Sequence, residues 1–326
     1  MTYRISRLLI IALFIAFLFS LSKITGLYVD WFLFSEVGYE AMFTKVLAAE
    51  VFTGLAFGTV FFLFVAANVL FASMVNVPAI DIMFMGQAKI PIEPGKFNKI
   101  FKLFGIVIAI LGGIMSGYWG SSIWPVALAY LNSVNTGRVE PIFNNDISFY
   151  LFKLPMYEAI NGFAGFLIFF TILLVVVGYL MRGGLLYTGR GFSFVKHAKH
   201  HIALLIFLFF IRIAMGFFMD RFETLYTPHT VLTGAGYADI NARLIVLGLL
   251  IPLTVIGGIT FCYALLKEKL KIALYPVIGL IAIYILGVAI YPGFLQSFKV
   301  APNEQAMEEP FIKHHISLTK YGYNLD

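Results

Sequence analysis

Seven stretches of this 326-residue sequence are apolar over about 20 residues, the length that an α-helix needs to cross a lipid bilayer. Of all residues 60% are hydrophobic and 12% are charged, whereas soluble domains average about 25% charged residues. We therefore predict an all-α fold, a polytopic transmembrane helical bundle. The predicted spans are roughly 5–22, 47–71, 101–118, 160–180, 202–219, 244–266 and 271–290.

Two segments allow a second interpretation. Residues 119–134 are apolar, but Pro125 and the polar ends favour an interfacial or re-entrant element over an eighth span. Residues 1–22 place Arg4 and Arg7 before an apolar run, as a signal peptide does. Since no A-x-A-like cleavage site follows, we expect an uncleaved first helix.

The basic residues predict the orientation. If the N-terminus is cytoplasmic, the short inner segments are rich in Lys and Arg, and the longer outer segments hold most of the acids. We therefore expect the C-terminus outside. The formal net charge of +6 is spread between apolar runs, which favours basic loops beside spans over nucleic-acid binding. The expected domains are a transmembrane domain at 1–290, with ordered outer loops at 28–46, 119–159 and 220–243, and an extracytoplasmic tail at 291–326.

The three outer loops have the composition of ordered structure. Residues 28–43 interleave carboxylates with aromatic side chains and predict one amphipathic helix at the membrane interface. Residues 138–160 contain the turn-forming sequence PIFNND. Residues 220–244 include TGAGYADIN, which is glycine-rich and ends on Asp and Asn residues suited to cap the sixth helix.

Four stretches resemble signature sequences of the uncharacterised protein family number 0182. They are DWFLFSEVGY, PIFNNDISFYLFKLP, DRFETLY with GAGYADINARL, and the C-terminal YPGFLQSFKVAPNEQAMEEPFIKHHISLTKYGYNLD. The resemblance implies a bacterial or archaeal multi-pass protein of the plasma (inner) membrane, in a family without an established biochemical activity. Its members typically continue into a large extracytoplasmic region. The ending TKYGYNLD resembles the family's Thr-Arg-x-Ala-Tyr-Gly-Leu-Asp junction, with Lys320, Gly322 and Asn324 as differences.

Arg212 is the charge inside the fifth predicted span, roughly 10 Å from its outer end. An arginine at this depth suggests a role with a substrate or ion. The favoured alternative is that its side chain extends to the interface or pairs with an acid such as Asp220 or Asp239.

Charged and amide side chains of the outer segments form a candidate outer-face cluster. Its members are Asp30, Glu36, Asp146, Asp220, Arg221, Asp239, Asn241, Glu304 and Glu308. Carboxylate and amide oxygens suit a cation such as Ca²⁺. No EF-hand pattern is present, so salt bridges and helix caps are the favoured roles.

His197 and His201 lie one helical turn apart, a spacing that can ligate zinc. The loop 181–201 contains no acid, and Lys196 and Lys199 make a basic cluster facing anionic lipid the favoured interpretation. We expect no metal and no cofactor. The single cysteine, Cys262, excludes a disulfide within the chain.

Three functions compete on these observations. The favoured one is a membrane anchor or assembly subunit that binds an extracytoplasmic domain, protein partner or second copy. A transporter or channel for a small solute or ion would use Arg212 and outer carboxylates. An intramembrane or lipid-modifying enzyme ranks last, because the sequence shows no nucleophile and base motif.

Overall fold

The computed structural model of the protein describes residues 21–76, 80–84, 88–92, 94–187, 192–226 and 234–325. Helices dominate these residues. They are α1 at 21–36, α2 Glu40–Met74, α3 Pro94–Ser121, α4 Trp124–Leu131, α5 Leu154–Arg182, α6 Lys196–Glu223, α7 Leu244–Leu266, α8 Leu270–Tyr284, α9 Tyr291–Leu295 and α10 Glu304–Gly322.

Six helical stretches among the described residues are long and apolar enough to cross a membrane. They are Glu40–Met74, Phe97–Ser121, Phe149–Arg182, Lys196–Tyr226, Asp239–Leu266 and Leu270–Gly322. Each contains one of the predicted spans from the second to the seventh, so these six predictions are confirmed as helices. The first predicted span, 5–22, lies outside the described residues except for its last two positions, and the total of seven stays a prediction.

Two short antiparallel hairpins interrupt the helical fold. One pairs β1 Ile80–Phe84 with β2 Ala88–Ile92, and the other pairs β3 Leu185–Tyr187 with β4 Phe192–Phe194. Backbone groups of a connection beside the bundle need hydrogen-bond partners, and a hairpin supplies them locally. We call this end of the bundle, together with the turn between α7 and α8, the hairpin end. The opposite end, which carries α10, is the α10 end.

The bundle packs its helices in chain order. Helix α2 packs on α3 and α5, α6 on α5 and α7, and α7 on α8. At the α2–α3 contact, a Cβ on Gly58 would lie 2.8 Å from the carbonyl oxygen of Gly113. Small residues on both helices thus allow the two backbones to approach closely, as is common between helices in membranes. The short basic stretch KEKLK contains the turn between α7 and α8, which pack against each other.

Buried polar side chains join α2, α5 and α6 at the hairpin end. Arg182 of α5 donates hydrogen bonds to the carbonyls of Ala72 and Val75, where α2 ends. His201 lies 3.0 Å from the Tyr179 hydroxyl through Nδ1 and 2.9 Å from Asn68 Oδ1 through Nε2. These contacts crosslink three helices where the apolar core ends.

The structure overturns one expectation about the segments outside the spans and gives the conformation of two others. The single helix over 28–43 is wrong, because the chain turns at Gly38, which has φ of +74°. The Tyr39 N–H donates to the Phe34 carbonyl across this turn and ends α1. The apolar stretch 119–134 contains only the short helix α4 after α3, about 12 Å long.

The C-terminal segment is helical. Residues Leu270–Gly322 form a nearly continuous helix through α8, α9 and α10, joined by π-helical turns at Ile285–Ile290 and Gln296–Val300 and a 3₁₀ turn at Ala301–Asn303. At 1.5 Å per residue its path is about 80 Å long, far more than the roughly 30 Å of a bilayer's hydrocarbon core. The sequence 291–326, expected as a polar tail, is therefore a helical extension of the last span up to Gly322.

Candidate functional site

Arg212 lies between α5 and α6 near the α10 end. Its Nε donates a hydrogen bond of 3.0 Å to the carbonyl of Asn161 on α5. A Cβ on Gly165 would lie 2.6 Å from the same Nε, so this glycine makes room for the guanidinium. Asp220 lies about two turns further along α6, near enough for its carboxylate to interact electrostatically with Arg212. The structure thus gives Arg212 one of the acidic neighbours that the sequence suggests.

Three carboxylates share a cavity of about 270 Å³ with Arg212. They are contributed by Glu158 of α5 and by Asp220 and Glu223 of α6. Asp220 and Glu223 are three residues apart, which places them on one face of the helix. Glu158 faces the same cavity from the neighbouring helix. The cavity therefore combines one cationic group with an excess of carboxylates.

A larger cavity of about 880 Å³ lies next to the first and is lined by the same three carboxylates. Its other polar lining residues are Tyr150, Thr224, Tyr226, Arg243 and Tyr284. Several of these stand on irregular helical turns: the π-helical turns Phe149–Lys153 and Asp239–Arg243 and the 3₁₀ turn Thr224–Tyr226. Such turns within long helices frequently occur at functional sites. The carboxylates thus separate two cavities at the helix ends.

The second feature of this end is a platform, formed by residues 135–148 and 234–243, on which α10 rests. The Tyr237 N–H donates to both carboxylate oxygens of Glu308, at 3.2 and 3.1 Å. Arg138 donates 2.8 Å to the Ser317 hydroxyl, and its guanidinium lies 4.4 Å from the ring centroid of Tyr321. These contacts join loops far apart in the sequence to one side of α10.

Asp146 orders the first loop of the platform. Its Oδ1 accepts hydrogen bonds from the Thr136 hydroxyl at 2.9 Å and the Ser148 N–H at 2.8 Å, and its Oδ2 accepts from the Gly137 N–H at 2.9 Å. Hydrogen bonds from Ser148 and Thr136 hold the pKa of the Asp146 carboxyl well below its usual range. The ionised side chain therefore has a structural task within its own loop.

Glu140 performs a similar task deeper in the platform, where it is 5% exposed. Its carboxylate accepts from the Ile142 and Phe143 N–H groups, both at 2.6 Å, and from the Tyr150 hydroxyl at 2.8 Å. Tyr150 also lines the larger cavity. Glu140 thus connects the platform to the wall of that cavity.

The members of the predicted outer-face cluster are divided among several places. Asp220 lines both charged cavities, whereas Asp239 forms a 3.4 Å ion pair with Arg243 and accepts from the Gly236 N–H. Arg221 lies with its guanidinium 5.6 Å from the Phe143 ring centroid. Asp146 belongs to the platform, and Glu308 lies on α10 and accepts a hydrogen bond from the platform residue Tyr237.

The remaining members lie at the surface. Asp30, Glu36 and Glu304 are exposed on α1 and at the start of α10, and the exposed Asn241 donates to the Tyr237 carbonyl. Within the described part of the chain, no group of three or more His, Cys, Asp or Glu side chains is arranged to hold a metal ion.

His197 and His201 do not converge. His197 is exposed at the start of α6, whereas His201 is buried and its two ring nitrogens contact Tyr179 and Asn68. The Asn68 amide nitrogen donates to the Phe64 carbonyl, so its oxygen faces His201 and accepts from Nε2–H. Nδ1 then accepts the Tyr179 hydroxyl proton, and both nitrogens are occupied.

Glu158 and Glu223 are cavity residues that the sequence reasoning missed. Glu223 carried a usable signal, since it follows Asp220 by three positions just after the fifth predicted span, where a continued helix would place both on one face. Glu158 stands beside a predicted span after Pro155, and only the pairing of α5 with α6 brings it to the other two acids. A single sequence does not reveal that helix pairing.

Comparison with known proteins identifies relatives over nearly the whole chain. A family model described as Uncharacterised protein family (UPF0182) matches residues 7–326. A UPF0182 protein of Geobacter sp. strain M21 is 33% identical over 326 residues, which are all of this chain and 36% of the relative. A UPF0182 protein of Geobacter sulfurreducens is 36% identical over 321 residues, covering 98% of this chain and 36% of the relative.

A more distant UPF0182 protein of Desulfitobacterium hafniense is 29% identical over 335 residues, covering 99% of this chain and 35% of the relative. The chain thus spans about a third of the length of the curated relatives that it matches. No solved structure matches the chain.

Proposed function

This chain belongs to the uncharacterised protein family UPF0182, and from that premise we propose that it is a membrane anchor or assembly subunit whose α10 end holds an extracytoplasmic domain or partner. Six helices long and apolar enough to span a bilayer indicate a membrane protein. We place it in the plasma membrane of a prokaryote, with the hairpin end in the cytoplasm. The positive-inside distribution of Lys and Arg supports this orientation.

The observation that carries the proposal is the fixed position of α10 on the platform. The last span is mostly uncovered by protein. In the most apolar 18-residue window of Leu270–Gly322, 11% is buried. Beyond that window, however, Glu308 is 9% exposed and receives the Tyr237 N–H. The α10 helix therefore contacts the platform on one side only, and this contact fixes the direction in which the helix leaves the bundle.

The length of the relatives supports a role for this fixed direction of α10. About two thirds of each relative's length lies outside the region that it shares with this chain. A continuous helical connection transmits position better than a flexible linker does. We therefore infer that the platform and α10 together orient the extracytoplasmic domain or partner at that end.

A photo-crosslinking experiment in native membranes tests this function. The photoreactive amino acid p-benzoylphenylalanine replaces Tyr323, whose side chain is 76% exposed just after α10. We expect ultraviolet light to link the chain to an extracytoplasmic partner or a second copy. The yield should fall severalfold in Glu308→Ala, because the Tyr237 N–H loses its acceptor and α10 leaves the platform.

Glu309→Ala is the matched control. Glu309 is the next residue of α10, is exposed, and forms a 2.6 Å ion pair with Lys313 on its own helix. Its removal should leave the crosslinking yield unchanged. A yield that is the same in Glu308→Ala as in the parent, or crosslinks to lipid alone, would contradict the anchor function.

A further inference from the structure

A third cavity, of about 620 Å³, runs along α5 where it faces α2 and α3. It is an aromatic groove whose larger lining side chains are Phe61, Met115, Trp119, Phe163, Phe166 and Phe170. The rings pack on one another: Trp119 stacks on Phe163 with centroids 5.8 Å apart, and Phe61 lies 5.7 Å from Phe170. The groove is therefore a preformed apolar surface within membrane-spanning helices.

Gly162 lines both this groove and the charged cavity that contains Arg212. Apart from its two chain neighbours and the nearby backbone of its own helix, no described residue places an atom within 4 Å of a Cβ built on Gly162, so the two spaces meet over an open backbone. Glu158, Gly162, Phe166 and Phe170 follow one another at intervals of four along one face of α5. This face changes from charged to aromatic over about 18 Å.

A charged end joined to an apolar groove has the shape of an amphiphile site. The charged end lies near the ends of α5 and α6, and the groove extends from it toward the middle of the spans. The groove suits an acyl chain, because its preformed apolar and aromatic surface offers many van der Waals contacts, and packing of this kind drives association inside the hydrocarbon layer. The headgroup then lies among Glu158, Arg212, Asp220 and Glu223.

The charges at this end select the headgroup. One guanidinium faces three carboxylates, and a guanidinium is well suited to a phosphate. Three carboxylates around one small cavity favour a positive group beside them, because ionised carboxylates repel one another. A headgroup that carries both a phosphate and an ammonium group satisfies the two demands together.

We propose that the contiguous charged cavity and aromatic groove bind a phospholipid with a primary ammonium headgroup, of the phosphatidylethanolamine class. Arg212 contacts the phosphate, Glu158 and Glu223 receive the ammonium group, and one acyl chain lies in the groove. This inference goes beyond the anchor function and does not depend on it, since none of these residues belongs to the platform.

Native mass spectrometry of the full chain in mild detergent tests the proposal. The probes are dioleoyl phosphatidylethanolamine and dioleoyl phosphatidylglycerol, which share their acyl chains and differ in the headgroup. We expect the first lipid to bind about tenfold more tightly, since a charged hydrogen-bonded pair contributes enough for that factor. Equal affinity for the two lipids, or tighter binding of phosphatidylglycerol, would overturn the proposal.

Two variants locate the site. Gly162→Leu fills the junction between cavity and groove and should reduce phosphatidylethanolamine binding about tenfold. Gly248→Leu is its matched control, because Gly248 lies on α7 and a Cβ there also meets none of the described atoms within 4 Å. The double variant Glu158→Gln, Glu223→Gln keeps the shape and should abolish the preference between the two lipids.

The readouts separate lipid binding from folding and from the anchor function. If Gly162→Leu and Gly248→Leu weaken binding equally, or if the double variant keeps its lipid preference, the proposed site is wrong. Crosslinking from position 323 should be unchanged in Gly162→Leu, so a failure of the anchor function leaves this test intact.

Discussion

The two ends of the bundle each hold an arginine inside the helices, and the two arginines have different surroundings. Arg182 at the hairpin end is 4% exposed and places both terminal nitrogens on carbonyls at the end of α2. Arg212 near the α10 end is half-buried, donates to one carbonyl of α5 and lines a cavity with three carboxylates. The Arg182 guanidinium is enclosed by protein groups, whereas the Arg212 guanidinium faces an open cavity.

The neighbours follow the same division. At the hairpin end, Tyr179, His201 and Asn68 complete one another's hydrogen bonds in the core. At the α10 end, Glu158 and Glu223 line the same open volume. Placing a charge within the membrane costs free energy. At the hairpin end the arginine crosslinks helices, whereas at the α10 end it forms part of the proposed site for a ligand of complementary charge.

Replacing the two arginines separately should give the largest difference in stability. Arg182→Gln leaves the buried carbonyls of Ala72 and Val75 without their charged donor, which should lower the free energy of unfolding by about 3 kcal/mol. The favourable placement of a cation at the C-terminal end of α2 is lost as well. Thermal unfolding in detergent, followed by circular dichroism, measures this change.

Arg212→Gln is the comparison variant and should cost about 1 kcal/mol, since it removes one hydrogen bond to a backbone carbonyl. If the two variants unfold at the same temperature, the distinction between an enclosed arginine and a site arginine is lost.

The fit between Gly165 and Arg212 supplies a smaller effect. Gly165→Ala puts a Cβ where the guanidinium lies and should cost about 2 kcal/mol through overpacking. Gly162→Ala, one turn away in open space, should be neutral or slightly stabilising because alanine favours the helix.

A double-mutant cycle separates this fit from a general effect on α5. In the Arg212→Gln background the Gly165→Ala penalty should shrink to less than half, since the shorter side chain leaves room for the methyl group. An unchanged penalty would show that Gly165 packs against something other than Arg212.

The sequence was sufficient for the helices and insufficient for the site. Apolar length alone identified α2, α3 and the helices from α5 to α8, because lipid imposes that length on any spanning segment. Arg212 also stood out, since a charge inside such a run breaks the pattern. Glu158 did not, because its role depends on the pairing of α5 with α6, and that pairing leaves no mark on the spacing of residues along one helix.

The C-terminal segment shows the same limit of prediction from local sequence. The polar composition of residues 301–322 indicated solvent exposure, which the structure bears out for most of them, but it did not indicate a helix. The helix is supported by contacts with Tyr237 and Arg138, residues far away in the sequence. Tertiary contacts of this kind override local composition.

The smallest expected effect is a dependence on pH that is confined to the α10 end. The pKa of Asp146 is below its ordinary value of 3.8 in the folded chain, so its ionised form stabilises the loop above that value. This stabilisation should be constant from pH 7 to about 5 and should decline as the pH falls below about 4. Protection factors for the amides of Gly137 and Ser148, corrected for intrinsic exchange, measure it by hydrogen exchange.

Asp146→Asn provides the control, because its neutral side chain should give reduced protection at every pH and no decline. The amides of α5 around Tyr179, at the hairpin end, should keep their protection in both proteins, since the hydrogen bonds there are enclosed by the core. A decline of the same size at both ends would mean that acid loosens the whole bundle. A decline in protection limited to residues 136–148 would instead show that acid loosens the loop at the α10 end and leaves the hydrogen bonds at the hairpin end intact.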